Sequence, residues 1–268
     1  MQKTNRSLER GLALLHQLTA RGPASLSAVA RAAGLPKATA SRLLLTLGAE
    51  GWIYRRHNDG RYVATVPQTG AGTTPDLGAV ARLALPYLLS LSQETGLAAD
   101  LTWLVEVGVL EVIESTRAPQ VGGVDPQVAG FRPSLVFSAP GRALLAASDA
   151  ESRARHLRHV ARMDSPAERL AVTGGQLMAE LAATARRGYG QRAAGYWPHS
   201  SDYGREPMDI AIVIAPKDRP LGCLSLVWPA EAHDAGEIAA AHLGTMRAAA
   251  RRIGAAVAGA RRASAAQL

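Results

Sequence analysis

Gly34 and Pro36 stand between two short helical periodicities, and this punctuation fixes the local topology more tightly than any other feature of the chain. Ahead of it, Leu26-Ser-Ala-Val29-Ala30-Arg-Ala-Ala33 repeats small and apolar residues at helical intervals after Ser25, which predicts a short helix stopping at Gly34. Gly34 can adopt the positive φ of a tight turn. Pro36 suits the first turn of a following helix over Lys37 to Leu47, where its missing N–H would have had no partner. Upstream, Ser7 is the expected N-cap of a helix carrying Leu8, Leu12, Leu15 and Leu18 on one stripe and ending at Arg21-Gly22-Pro23. Arg10 holds the position where a capping box would want Glu or Gln, although Glu9 suits the first turn electrostatically.

On a helical wheel the third helix separates into two arcs. Ala40, Leu43, Leu44 and Leu47 share one, while Lys37, Ala38, Thr39, Ser41, Arg42 and Thr46 share the other, with Leu45 alone breaking the division. A short-chained, hydroxylated arc with two cations can enter a major groove, donate to phosphates and reach base edges. Trp52-Ile53-Tyr54-Arg55-Arg56 and Arg61-Tyr62-Val63 then flank Asn58-Asp59-Gly60, a hairpin signal. A basic hairpin after such a helix pair reads as a wing, with Arg55, Arg56, His57 and Arg61 along the sugar-phosphate backbone or in the minor groove.

Charge follows the same division. Of a net +8, residues 1–66 hold ten Lys/Arg against three acids, whereas residues 67–268 hold 20 against 19. A small polyanion-binding module joined to a larger neutral domain has this distribution; a merely soluble basic surface is the blander alternative.

Three stretches carry a family resemblance: Arg6 to Leu15, Ser27 to Leu44, and Leu47-Gly-Ala-Glu-Gly-Trp-Ile53. Together they resemble the winged helix of the IclR family of bacterial transcriptional regulators. The DNA-contacting positions so expected are Ser27, Pro36, Lys37, Ala38, Thr39, Ser41 and Arg42, with Arg55, Arg56 and Arg61 on the wing.

Residues 67–76 are rich in Gly, Pro and Thr and read as a boundary. Gly70-Ala-Gly72 lacks the remaining elements of a phosphate-binding loop. Leu77 to Gly96 is expected as an amphipathic linker helix, bent at Pro86. The organisation expected is thus a DNA-binding domain over 1–66, a linker and linker helix over 67–96, and an effector-binding domain over 97–268.

In that last part, Leu101 to Glu114 predicts two antiparallel strands turning near Glu106 to Gly108. Asp209 to Ala215 and Leu221 to Trp228 predict a hairpin around Pro216-Lys-Asp-Arg-Pro220. Helices are expected over Pro140 to Ala147, Glu151 to Val160, Leu170 to Gly188 and Ile238 to Arg262. The class is α+β: helices around an antiparallel sheet, a shape that commonly holds a small molecule between sheet and loops.

Gly130-Phe-Arg-Pro133, Ser138 to Ala146, Arg187-Gly-Tyr-Gly-Gln191 and the hairpin with Gly222 resemble the same family's effector-binding domain, a GAF-like α/β domain with an antiparallel sheet. Gly222 to Trp228 and His242-Leu243 with Arg247 and Arg251 are most similar to the branch regulating aromatic-acid catabolism. The resemblance implies that an effector carboxylate is held at Ala139 and Pro140, with contacts from Asp202, Ala211, Ser225 and Val227. Pro140 supplies no N–H, so Arg132 or Arg142 is the candidate replacement, unless each is spent in a surface ion pair. Trp103, Phe137, Tyr196, Trp197, Tyr203 and Trp228 are candidate aromatic walls, each also a natural core residue.

No catalytic constellation emerges. Of seven histidines only His156 and His159 fall at helix spacing, among Arg153, Arg155, Arg158 and Arg162, which would repel a metal cation. That pair reads as a solvated helix face. No Gly-x-Ser-x-Gly elbow is present, and Cys223 lies within an apolar strand as a packed thiol. With one cysteine, no charged-then-apolar leader and no uncharged apolar run of membrane-spanning length, a cytosolic protein is expected, without metal or cofactor. The expected function is a dimeric or tetrameric repressor or activator. It reads a pseudopalindromic double-stranded operator and responds to a small carboxylic acid, an aromatic one if the branch resemblance carries over. Two alternatives stand beside it: an enzyme with a DNA-binding tail, and a ligand-independent architectural protein.

Overall fold

The computed structural model describes residues 5–65, 76–118, 123–163, 165–196, 205–216 and 219–265. The chain divides into two compact units, Met1–Arg82 and Leu83–Leu268.

In the first unit α1 spans Arg6–Arg21, α2 Leu26–Ala32 and α3 Lys37–Ala49, followed by β1 Ile53–Arg55 and β2 Tyr62–Ala64. Asn5, not Ser7, caps α1: its side-chain oxygen accepts from the N–H groups of Ser7 and Leu8 at 3.0 and 3.2 Å. The buried face of α1 runs through Gly11, Leu14 and Leu18, so the expected leucine stripe only half enters the core. Leu8 and Leu12 lie beyond its edge and stay exposed. Leu14 and Leu18 pack with Val29, Ala30, Ala40, Leu44 and Ile53 into a single cluster. Gly34 takes φ +64°, and the Leu35 N–H returns to the Ala30 carbonyl at 2.9 Å, closing the turn between α2 and α3. The strands pair antiparallel from Ile53↔Ala64 to Arg55↔Tyr62. Tyr62 also exchanges two backbone hydrogen bonds with Ala24, which pins β2 to the loop ahead of α2.

The boundary between the units falls inside α4, Leu77–Thr95, which contains Pro86. The second unit continues with β3 Ala98–Glu106, β4 Val109–Ser115, α5 Ala139–Ala147, α6 Ala150–Val160, α7 Pro166–Thr173 and α8 Gln176–Arg187. It ends with β5 Gly190–Gln191, β6 Pro207–Ile214, β7 Gly222–Pro229 and α9 Ala235–Ala265. The five strands form one antiparallel sheet in the order β4-β3-β7-β6-β5. The helix expected over Leu170 to Gly188 is two, because Gly174 and Gly175 interrupt it and Gly175 adopts φ +76°.

Strand alternation gives the sheet two faces. Registers Asp100↔Ser225↔Ala211 and Thr102↔Cys223↔Val213 place these residues on the face covered by α5. Registers Leu101↔Leu224↔Ile212 and Trp103↔Gly222↔Ile214 build the opposite, apolar face, on which α9 packs. A Cβ at Gly222 would overlap the Trp103 ring, so this strand position requires glycine. Among the described residues no helix is long and apolar enough to cross a membrane.

Candidate functional site

Two sites follow from this architecture, one in each unit. In the first, α3 buries Ala40 and Leu44 and turns Lys37, Ala38, Arg42, Leu45 and Thr46 outward, with Thr39 and Ser41 half-buried. Pro36 opens the helix without a side-chain cap, so the first-turn N–H groups are left for solvent or for an anion. Ser27 is half-buried on α2. Leu45 sits in the middle of the exposed arc at 69% exposure, available for apolar contact in a groove. On the helical wheel it is the one residue that breaks the division into two arcs.

The wing corrects one expectation. Arg55 and Arg61 are exposed; the Nε of Arg55 donates to the Gly60 carbonyl at 3.1 Å, and the Nε of Arg61 lies 3.6 Å from Asp59. Arg56 is instead only 5% exposed and grips both carboxylate oxygens of Asp59. Asp59 also accepts from the Arg61 N–H at 3.0 Å, so Arg56 organises the turn rather than offering charge to a phosphate.

In the second unit a cavity of about 580 Å3, including its mouth, opens on the α5 side of the sheet. Of the expected effector residues, Pro140 and Ser225 line it. Ala139, Ala211 and Val227 are completely buried and do not line it, and Asp202 lies outside the described residues. Neither candidate arginine reaches the cavity. Arg132 is exposed and pairs with Glu111 at 3.1 Å, while Arg142 donates to the carbonyls of Val136 and Gln191 and lies 3.5 Å from Glu180. Burial lowers the Arg142 pKa, with Glu180 opposing the shift.

Two other arginines reach the cavity, each through a buried ion pair. Arg117 Nη2 lies 2.6 Å from Asp100, and Arg192 Nε lies 2.6 Å from Asp209. Each arginine is 17 residues from its aspartate, and the partners meet only through strand pairing and the loops that follow, so no local sequence pattern announces them.

Of the expected aromatic walls among the described residues, Tyr196 alone lines the cavity, joined by Phe131. Its hydroxyl accepts from the Ser134 N–H at 2.7 Å, its ring lies 5.8 Å from that of Phe137, and burial raises its pKa. Trp103 and Trp228 are fully buried on or beside the apolar sheet, and Trp197 and Tyr203 lie outside the described residues.

His156 is likewise corrected. It is buried, not solvated, and its Nδ1 accepts from the Gly108 N–H at 2.9 Å, with burial lowering its pKa. Cys223 is buried, its thiol donating to the Pro140 carbonyl at 3.2 Å; burial pushes its pKa far up, as suits an inert thiol. Among the described residues no cluster of His, Cys, Asp or Glu could hold a metal ion.

Residues 7–57 match the IclR helix-turn-helix domain. Solved structures share the fold along nearly the whole chain. An IclR transcriptional regulator from Alicyclobacillus acidocaldarius is 21% identical, over 95% of this chain and all of that one, with a TM-score of 0.53. The Thermotoga maritima IclR is 17% identical over 94% of this chain and 98% of its own, with a TM-score of 0.51. An IclR family transcriptional regulator from Brucella abortus is 19% identical over 95% and 93%, also with a TM-score of 0.51. The chain therefore carries an N-terminal domain of the IclR helix-turn-helix family, within the overall fold of solved IclR transcriptional regulators.

Proposed function

We propose that this protein is a sequence-specific transcriptional regulator that binds a pseudopalindromic double-stranded operator as a homodimer or tetramer. A small molecule in the cavity of the second unit modulates that binding. The observation that carries the reading is the outward arc of α3: Lys37, Ala38 and Arg42, with half-buried Thr39 and Ser41 beside them, stand on a helix whose uncapped N-terminus suits phosphate contact. Lys37, Arg42, Arg55 and Arg61 supply charge to phosphates, while Ala38, Ser41 and Leu45 face base edges. Pro36 positions the first turn, and Ser27 on α2 supports the backbone contact.

The cavity, with its ion pairs beneath Pro140 and Ser225, is the effector site. α4 is the covalent connection between the units and so the route by which occupancy reaches the operator-binding helices. Coupling requires only that the effector bind two arrangements of the dimer unequally.

Electrophoretic mobility of the upstream intergenic DNA, with scrambled DNA of equal length as competitor, tests the reading. Preferential retention of the intergenic fragment is expected, with both fragments bound more weakly by the Arg42→Ala variant. Equal competition by both fragments would overturn it.

A further inference from the structure

The resemblance to IclR regulators implies a carboxylate effector, and the lining of this cavity has the wrong charge for one. Among the described residues three carboxylates, Asp100, Asp125 and Asp209, face it against two guanidinium groups, Arg117 and Arg192. Both guanidiniums are already held by protein carboxylates, Arg117 by Asp100 and Arg192 by Asp209. An incoming carboxylate would have to displace an aspartate and add a further negative charge beside buried carboxylates, where unpaired charge is costly.

The start of α5 offers little compensation. Pro140 has no N–H, the Gly141 N–H is taken by Ser138 Oγ at 3.0 Å, and the Arg142 N–H by the Ser138 carbonyl at 3.0 Å. Acceptors, by contrast, are to spare. Asp125 receives the Gln127 N–H on one oxygen and Asp209 receives Arg192 on one oxygen. The second oxygen of each makes no hydrogen bond among the described residues. Ser225 Oγ, 1% exposed, lines the cavity with no hydrogen-bond partner among the described residues. A buried hydroxyl and carboxylate oxygens with spare acceptor capacity, lining one cavity, suit a ligand that donates hydrogen bonds.

We infer that the cavity binds a small molecule bearing a protonated amine or amidine, recognised by Asp209, Asp125 and Ser225 against the rings of Phe131 and Tyr196; this rests on reading the cavity as the effector site. An ammonium group supplies the missing positive charge and donates to three acceptors, and the aromatic faces favour a cation.

The test is calorimetric titration of the full chain with putrescine, agmatine and tyramine, and with succinate and 4-hydroxyphenylacetate as anionic counterparts. Ser225→Ala and Asp209→Asn are compared, after thermal melts confirm that both fold. At least one amine should bind while both carboxylates stay silent, and Ser225→Ala should weaken the amine about tenfold, the weight of one hydrogen bond to a charged group. Asp209→Asn should weaken it further. A carboxylate that binds, and is weakened by Ser225→Ala, where no amine does would overturn the amine assignment and leave the cavity as the effector site. Amine binding indifferent to both substitutions would overturn the site itself and the inference with it. Silence from every probe overturns the amine assignment; titrating the DNA complex with a small-molecule extract of the source cells then decides separately whether the site reading stands.

Discussion

Arg117 clasps Asp100 across the sheet: Nε lies 3.1 Å from both carboxylate oxygens and Nη2 lies 2.6 Å from one of them, with both side chains buried. Ser115 Oγ donates to the same carboxylate at 2.7 Å and accepts the Arg117 N–H at 3.0 Å, so the pair is embedded in a satisfied network. Asp100→Ala would remove the carboxylate and strand a buried guanidinium, a loss of about 3–5 kcal/mol. Urea denaturation of the second unit's transition should show it; a change within about 0.5 kcal/mol, typical of surface positions, would contradict the network's role.

Lys37 and Arg42 are expected to act through phosphates. Replacing either by Ala should weaken binding to operator and scrambled DNA alike and reduce the slope of log affinity against log salt by about 1. A salt titration by fluorescence anisotropy measures both quantities. An unchanged slope in both variants would remove α3 from the interface.

Arg56 should behave differently from its neighbours despite identical chemistry. Because it is spent on Asp59, Arg56→Ala should lower the melting temperature of the first unit while leaving the salt slope as it is. The reverse outcome, a reduced slope with unchanged stability, would return Arg56 to the phosphate surface.

His156 gives the second unit a pH dependence of known sign. Burial holds its folded pKa below the ordinary value near 6.5, so the neutral form is the one that accepts from Gly108. Its contribution is full above the unfolded pKa and is lost as the pH falls from about 6.5 through the lower folded value. Unfolding free energy measured across that window should fall on acidification, and fall less in His156→Gln.

Gly222→Ala should destabilise the sheet by about 1–3 kcal/mol or more, since its Cβ would meet the Trp103 ring on the neighbouring strand. Thermal melts of this variant against Gly244→Ala, where a Cβ meets nothing, separate the steric effect from the general one.

How much of this was legible in the sequence depends on whether partners were local. The Gly34 turn, the arcs of α3, the hairpin at Asn58-Asp59-Gly60 and the strand pairs β3–β4 and β6–β7 are short-range features, and the sequence displayed them. Asn5 and Ser7 are both good caps two positions apart, so local preference alone does not separate them, and the structure selects Asn5. The break at Gly174-Gly175 was missed because apolar periodicity resumes beyond it. β5 is two residues long and exists only by pairing with β6, which no local propensity encodes. In the cavity, Pro140 and Ser225 were found, whereas Arg117 and Arg192 were not, since each meets its aspartate only once the sheet is assembled. Arg132 and Arg142 drew attention through neighbouring motif residues, yet tertiary partners had already engaged them.

The most direct test of the central claim is fluorescence anisotropy of the purified full chain on its own upstream intergenic DNA and on scrambled DNA, at one fixed salt concentration. The series is run with and without the amines and acids named above. The account predicts preferential binding to the intergenic DNA that one of the small molecules shifts and that Ser225→Ala desensitises. Equal affinity for both DNAs, unmoved by any of them, would contradict it.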